Sequence, residues 1–260
     1  MSADTELFPG FATRRIATSG AEIHCVVGGS GPPLLLLHGY PQTHAMWHRI
    51  ASRLAERHTV VCADLRGYGD SSKPASDSTH AAYSKRAMAQ DMVELMRALG
   101  HATFRLVGHD RGGRVAHRLC VDHPDAVERV AVLDISPTRA MYRGTTQAFA
   151  TAYYHWFFLI QPFDLPERLI GADPRYYLRR KLGGWGSSAS VFDPRAFADA
   201  LQDDTLVQLV LDEQLQEVQV GQLGALGLLD SHGEGLGHAG EPEVTESQGQ
   251  LWVHRNSSRR

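Results

Sequence analysis

Apolar residues in the first 135 positions come in short bursts whose spacing switches between strand and helix periods. Residues 13–18 and 22–27 read as two strands of a hairpin around Ser19-Gly20. Residues 33–37 are continuously apolar, which predicts a central strand buried on both faces. A helix is expected over 44–56, a strand over 59–63 and a helix over 84–99. Residues 103–107 form a short apolar-rich run between glycines, which suits another buried strand. Beyond it Val115, Ala116, Leu119 and Cys120 recur at helical spacing, and 129–133 reads as a strand ending at Asp134. Strands alternating with helices imply an α/β fold with a mainly parallel, doubly wound sheet.

After Ser136-Pro137 the alternation stops. Residues 139–160 read as one helix rich in aromatics, including Tyr142, Phe149, Tyr153, Tyr154, Trp156, Phe157 and Phe158. Pro162, Pro166 and Pro174 divide the next stretch into short helices through about residue 182. A loop is expected over 183–188, and a helix over 191–200 behind Asp193-Pro194. A helical, aromatic insertion here would cap the carboxyl ends of the strands, where ligands of such sheets bind. The expected division is a core over 1–137, a cap over 138–200 and a distinct segment over 201–260.

Composition changes this picture little in the first 200 residues. The 260-residue chain carries a net charge of -3, which gives no reason to expect nucleic acid or an anionic membrane as partner. Cys25, Cys62 and Cys120 are odd in number and widely spaced. They suit neither a disulfide framework nor a metal motif, so a cytoplasmic setting is expected, with no metal and no cofactor. No apolar stretch reaches membrane-spanning length, and the first residues do not have the pattern of a signal peptide.

The chemistry gathers at Gly108-His109-Asp110-Arg111-Gly112-Gly113-Arg114. Strand, tight glycine-flanked turn and helix is the layout of a nucleophile elbow, with Asp110 where serine usually stands. The plain alternative is an aspartate capping a helix N-terminus. A carboxylate nucleophile attacks carbon and leaves an ester, so it needs an electrophile such as an alkyl halide or epoxide. Arg111 and Arg114 are three apart, so in a helix they share a face. Two guanidinium groups there can hold a carboxylate bidentately, which points to an acid substrate. Pairing with acidic side chains of the protein is the alternative for either arginine.

With these residues in view, the chain resembles the α/β-hydrolase fold and, within it, the haloacetate (fluoroacetate) dehalogenases. The resemblance rests on H-G-Y-P-Q-T at 38–43, D-L-R-G-Y-G at 64–69, G-H-D-R-G-G-R at 108–114, V-L-D-I at 132–135 and Y-H-W at 154–156, and spans about residues 8–200. It implies that Asp110 displaces halide from a small halogenated carboxylic acid through an aspartyl ester, releasing a 2-hydroxy acid. It further implies that Arg111 and Arg114 hold the substrate carboxylate. His155 and Trp156 would bind the halide, and the backbone N–H groups of Tyr40 and Arg111 would form the oxyanion hole. His38 is expected to shape its loop, and His109 is assigned no role. Family members are often homodimers, which leaves a homodimer open here. Epoxide hydrolases and haloalkane dehalogenases resemble the chain in the same motifs but commonly carry an aromatic residue after the nucleophile, where Arg111 stands.

The resemblance also implies a late histidine that activates water and is held by Asp134. The 201–260 segment does not match. It lacks Lys, Phe, Tyr, Ile and Met, holds eight Gln and eight Gly, and has ten acidic residues against three arginines. Residues 206–215 could make a short helix; otherwise only Leu251-Trp252-Val253 has strand character. The segment reads as foreign to the family, as from a shifted frame near residue 200, with a divergent C-terminus as the alternative. The family's last strands are then expected to be missing and the sheet edge open. His232, His238 and His254 are the available late histidines; Gly237-His238 imitates the family's Gly-His motif, but no expected strand precedes it. Activity would be absent or limited to one turnover, or the chain would be a non-catalytic truncated product.

Overall fold

The computed structural model describes residues 3–77, 79–162, 164–182, 244–247 and 250–253. A short helix α1 (Ala3–Leu7) precedes strands β1 (Ala12–Ala17), β2 (Glu22–Gly28) and β3 (Pro33–Leu37). A 3-10 helix (His44–Trp47) leads into α2 (His48–Ala55), then β4 (Thr59–Ala63), a second 3-10 helix (Ala81–Tyr83) and α3 (Lys85–Ala98). Strand β5 (Phe104–His109), helix α4 (Arg111–Asp122) and strand β6 (Val127–Leu133) complete the core. Ser84 begins α3 as its N-cap, its side chain accepting from the Ala87 N–H.

The sheet order is β1-β2-β4-β3-β5-β6, with β3, β4, β5 and β6 parallel and the β1-β2 hairpin antiparallel at one edge. The continuous apolar run of β3 is explained by its position. Leu35 and Leu37 face a cluster with Met88, Met92, Phe104 and Leu119, while Leu34 and Leu36 face Phe8, Trp47, Ala51 and Val60 on the other side. Helices therefore cover both faces, as a parallel sheet requires.

Two expectations are revised. The helix expected over 139–160 is three short helices, α5 (Thr138–Arg143), α6 (Gln147–Ala152) and α7 (Tyr154–Phe158). Gly144 ends the first, and the Thr146 side chain caps the second by accepting from the Phe149 N–H. Helices α8 (Leu165–Ala172) and α9 (Pro174–Leu182) come next, with the expected proline breaks. The second revision concerns the β6 edge. A hairpin of β7 (Val244–Ser247) and β8 (Gln250–Val253) lies there, β8 pairing antiparallel with Val130–Leu133 of β6. An unpaired strand edge is a template for any segment of strand propensity, and Leu251-Trp252-Val253 supplies one. The family's last strands, implied by the resemblance, are not among the described residues. The 183–188 loop, the 191–200 and 206–215 helices and His232, His238 and His254 lie outside the described residues.

All three cysteines are free thiols. Among the described residues no helix is long and apolar enough to cross a membrane.

One buried polar network pins α1 to the sheet. Asp64, fully buried at the end of β4, contacts Nδ1 of His24 at 3.2 Å and of His44 at 2.9 Å. The Nε2 atoms of the same two rings each meet one oxygen of Asp4, both at 3.1 Å. Every ring nitrogen therefore faces a carboxylate. Burial opposes charge on His24, but the hydrogen bonds to Asp4 and Asp64 and the Asp64 charge outweigh it and lift its pKa to about 9. Burial likewise opposes charge on Asp64, yet the positive charge on His44 and the hydrogen bonds from both imidazoles hold its carboxyl well below the usual range.

Candidate active site

Strand β5 and helix α4 meet at Asp110, whose backbone has φ 47° and ψ -112°. A non-glycine residue held there costs about 1–3 kcal/mol, so the surroundings must impose it. Two backbone hydrogen bonds do so: Asp110 N–H to the Leu133 carbonyl at 3.0 Å and Gly112 N–H to the His38 carbonyl at 2.9 Å. Gly112 is required by that approach, since a Cβ there would stand 2.5 Å from the Leu37 and His38 carbonyl oxygens. Gly39 faces the turn from the other side, and a Cβ on it would stand 2.5 Å from the Asp110 Cβ.

Although Asp110 occupies the N-cap position of α4, its side chain makes no capping hydrogen bond. Its Oδ1 instead accepts from the Tyr40 backbone N–H at 2.9 Å. The carboxylate thus makes no capping hydrogen bond to the helix it heads and meets the loop after β3 instead. That loop is set by His38, which contacts the Gly39 carbonyl through Nδ1 at 3.0 Å and accepts from the Leu65 N–H through Nε2 at 3.1 Å. Complete burial pushes the His38 pKa down to about 4, so its ring is neutral.

Arg111 is buried, its guanidinium carbon 5.5 Å from the Tyr40 ring centre and 5.7 Å from that of Tyr68. Arg114 reaches the cap, with its guanidinium carbon 4.0 Å from the Trp156 ring centre. His155 stacks on Tyr40 at 6.1 Å between centroids, with an interplanar angle of 11°. Burial drives its pKa down to about 3, helped by the positive charges of Lys181, Arg111 and Arg114 and opposed by Asp110. His155 is therefore a neutral imidazole within electrostatic reach of the elbow. Asp110, Arg111, Arg114, Tyr40, His155 and Trp156 thus come together from three separate stretches of chain.

Asp134 stands apart. Its backbone has φ 52° and its side chain is 81% exposed. The basic group beside it is His109, with Nε2 at 3.8 Å. His109, which the sequence left without a role, thus adjoins the nucleophile position in the chain and contacts the expected orienting acid. Its Nδ1 is buried without a hydrogen-bond partner among the described residues.

Sequence reasoning missed two cap residues. The Tyr177 hydroxyl lies 2.8 Å from that of Tyr40, joining α9 to the loop that touches Asp110. Lys181, one turn further on, places its ammonium 3.6 Å from the Tyr154 ring centre. No local spacing marks either one.

A family model described as the alpha/beta hydrolase fold matches residues 32–207. A fluoroacetate dehalogenase from Burkholderia sp is 56% identical over 189 residues, covering 72% of this chain and 62% of the relative. A soluble epoxide hydrolase from Corynebacterium sp. (strain C12) is 38% identical over 192 residues, covering 72% of this chain and 65% of the relative. Both relatives are thus matched over less than two thirds of their length. A crystal structure from Nostoc sp PCC 7120, described as an alpha/beta hydrolase, superposes with a TM-score of 0.80 at 53% identity, covering 85% of this chain and 77% of that one. The chain belongs to the alpha/beta hydrolase fold family.

Proposed function

We propose that the chain displaces halide from the α-carbon of a small halogenated carboxylic acid and forms an ester on Asp110. One observation carries this reading. A carboxylate on a strained turn, presented away from its helix, stands beside two arginines beneath cap aromatics. Because Tyr40 N–H holds Oδ1, Oδ2 is the oxygen placed to attack. The new C–O bond forms as the carbon–halogen bond breaks, and the halide leaves with the electron pair. Arg111 and Arg114 hold the substrate carboxylate, and their planar forks fix its orientation. The neutral N–H of His155 and the indole N–H of Trp156 meet the charge growing on the leaving halide.

In the ester Oδ1 becomes the carbonyl oxygen. Water attack would place negative charge on it, where the N–H groups of Tyr40 and Arg111 form the oxyanion hole. That second step needs a base held by Asp134. General-base help is worth about 10² to 10⁴ in rate. Without the family's late histidine, the ester is expected to accumulate. In this reading residues 1–137 are the catalytic core, 138–200 the cap and 201–260 a segment outside the hydrolase design.

The 38% identity to an epoxide hydrolase supports a second reading, the opening of a neutral epoxide by the same Asp110. Incubation with chloroacetate, with chloride release and intact-protein mass as readouts, separates the two. The first reading expects about one chloride per chain and a carboxymethyl adduct on the peptide containing Asp110, both abolished by Asp110→Asn. Arg111→Lys and Arg114→Lys should slow ester formation about ten- to a hundredfold, since each loses charge-assisted hydrogen bonds worth about 1.5–3 kcal/mol. Consumption of an epoxide with no reaction of chloroacetate would replace the first reading by the second. Neither reaction would make this a non-catalytic chain.

A further inference from the structure

We propose that Asp4, His24 and His44 form a divalent-metal site of the zinc type, separate from the Asp110 centre. The three residues come from α1, β2 and the first 3-10 helix, and all three are buried. Their donor atoms, one carboxylate oxygen and two imidazole nitrogens, lie within 4.8 Å of one another. His24 Nε2 is 3.1 Å from one Asp4 oxygen and His44 Nε2 is 3.1 Å from the other. Ligands about 2.0–2.1 Å from a tetrahedral zinc stand about 3.3 Å apart, so the three donors, now within 4.8 Å of one another, would draw together to seat the ion.

The outer contacts match what a metal-bound histidine needs. Such a histidine presents its second ring nitrogen to a carboxylate, which fixes the tautomer and aims the ligating nitrogen inward. Here Asp64 serves both rings, at 3.2 Å from His24 Nδ1 and 2.9 Å from His44 Nδ1. Asp64 is in turn fixed by the backbone N–H groups of His44 at 2.7 Å and Asp70 at 3.1 Å. Asp4 accepts from the Thr13 hydroxyl at 2.9 Å.

Charge suits a dication as well. In the quartet of Asp4, His24, His44 and Asp64, two neutral imidazoles and two carboxylates would meet a divalent ion with equal and opposite charge, leaving none uncompensated in the interior. Two imidazoles and one carboxylate suit zinc and cobalt, whereas calcium and magnesium take oxygen donors in larger number. The reaction at Asp110 does not use this ion. Bound metal would instead tie α1 to the segment after β3, because His44 lies four residues beyond Tyr40.

The test uses the full chain, stripped with a chelator and titrated with cobalt. The expected result is one cobalt per chain with the visible bands of a tetrahedral ion, displaced by zinc but not by excess calcium or magnesium. Zinc should also raise the thermal midpoint. Asp4→Asn and His44→Gln should lose the bands, while Thr13→Val, which keeps all three ligands, should retain them with affinity weakened by about tenfold. Should those ligand variants fail to fold, anomalous diffraction from zinc-soaked wild-type crystals locates the ion directly. A peak between His24 and His44 supports the site. A folded wild type without cobalt bands, bands surviving in folded His44→Gln, or an anomalous peak elsewhere would overturn it and leave the quartet as a hydrogen-bonded staple.

Discussion

Strands β3 and β6 carry similar apolar sequences and have different surroundings. In β3 the four leucines 34–37 are at most 6% exposed. In β6 Val130, Ala131, Val132 and Leu133 are only partly buried. Strand β3 has parallel neighbours on both sides and helices on both faces. Strand β6 has one parallel neighbour, β5, and a short antiparallel hairpin on its other side. An apolar run thus announces a strand, but the cover it receives depends on segments elsewhere in the chain. The well-covered side also pairs its buried charges. Arg66 grips Asp91 through two contacts of 2.6 and 2.7 Å, and Thr18 adds a hydroxyl bond to the same carboxylate at 2.6 Å.

If the two regions differ in this way, substitutions should grade accordingly. The largest loss is expected from Asp91→Ala, which leaves a buried guanidinium uncompensated. Breaking such a pair costs about 3–5 kcal/mol. Urea denaturation of the variant against wild type measures it, and a loss below about 1 kcal/mol would mean that the pair is no better than a surface contact.

A like-for-like comparison comes next. Val61 in β4 is fully buried, whereas Val132 in β6 is only partly buried. Val61→Ala should cost about 2–3 kcal/mol, from two lost methyl groups and the cavity behind them. Val132→Ala should cost about 1 kcal/mol or less, because part of its surface is already wet. Equal losses at the two positions would show that β6 is packed as firmly as β4, and the contrast would fail.

The same division governs what could be read from sequence. The bounds of β3 and β4 and the start of α3 at Ser84 were legible because pattern, cap and turn residues agree there. The three-way break of the expected 139–160 helix was written locally in Gly144 and Thr146, but the aromatic run concealed it. At the site, Asp110, Arg111, Arg114, His155 and Trp156 were legible as motif residues. Their mutual distances were not, nor was the release of Asp110 from a capping role. The Tyr40–Tyr177 contact joins residues 137 positions apart. Asp4, His24 and His44 fall 20 and 40 positions apart, so no metal spacing signalled them. Local periodicity reports which face a residue takes, whereas these contacts arise from how distant loops are brought to one end of the sheet.

The smallest expected effect concerns the cap, where Lys181 is buried in α9 with its ammonium over the Tyr154 ring. Burial lowers its pKa from 10.5 to about 8. Below pH 8 both folded and unfolded chains hold the proton, and the folded state bears the cost of a buried charge. Between about 8 and 10.5 the unfolded chain still holds a proton that the folded chain has released. Stability from this residue should therefore rise with pH across that window, by at most about 1.4 kcal/mol per pH unit. Above it the gain is complete. Lys181→Met keeps the stem and removes the titration, so the difference in stability between variant and wild type should shrink as pH rises from 8 to 10. A difference that is flat, or that widens, would mean that the ammonium is solvated or held by an anion, and that α9 does not press it against the aromatic wall of the cap.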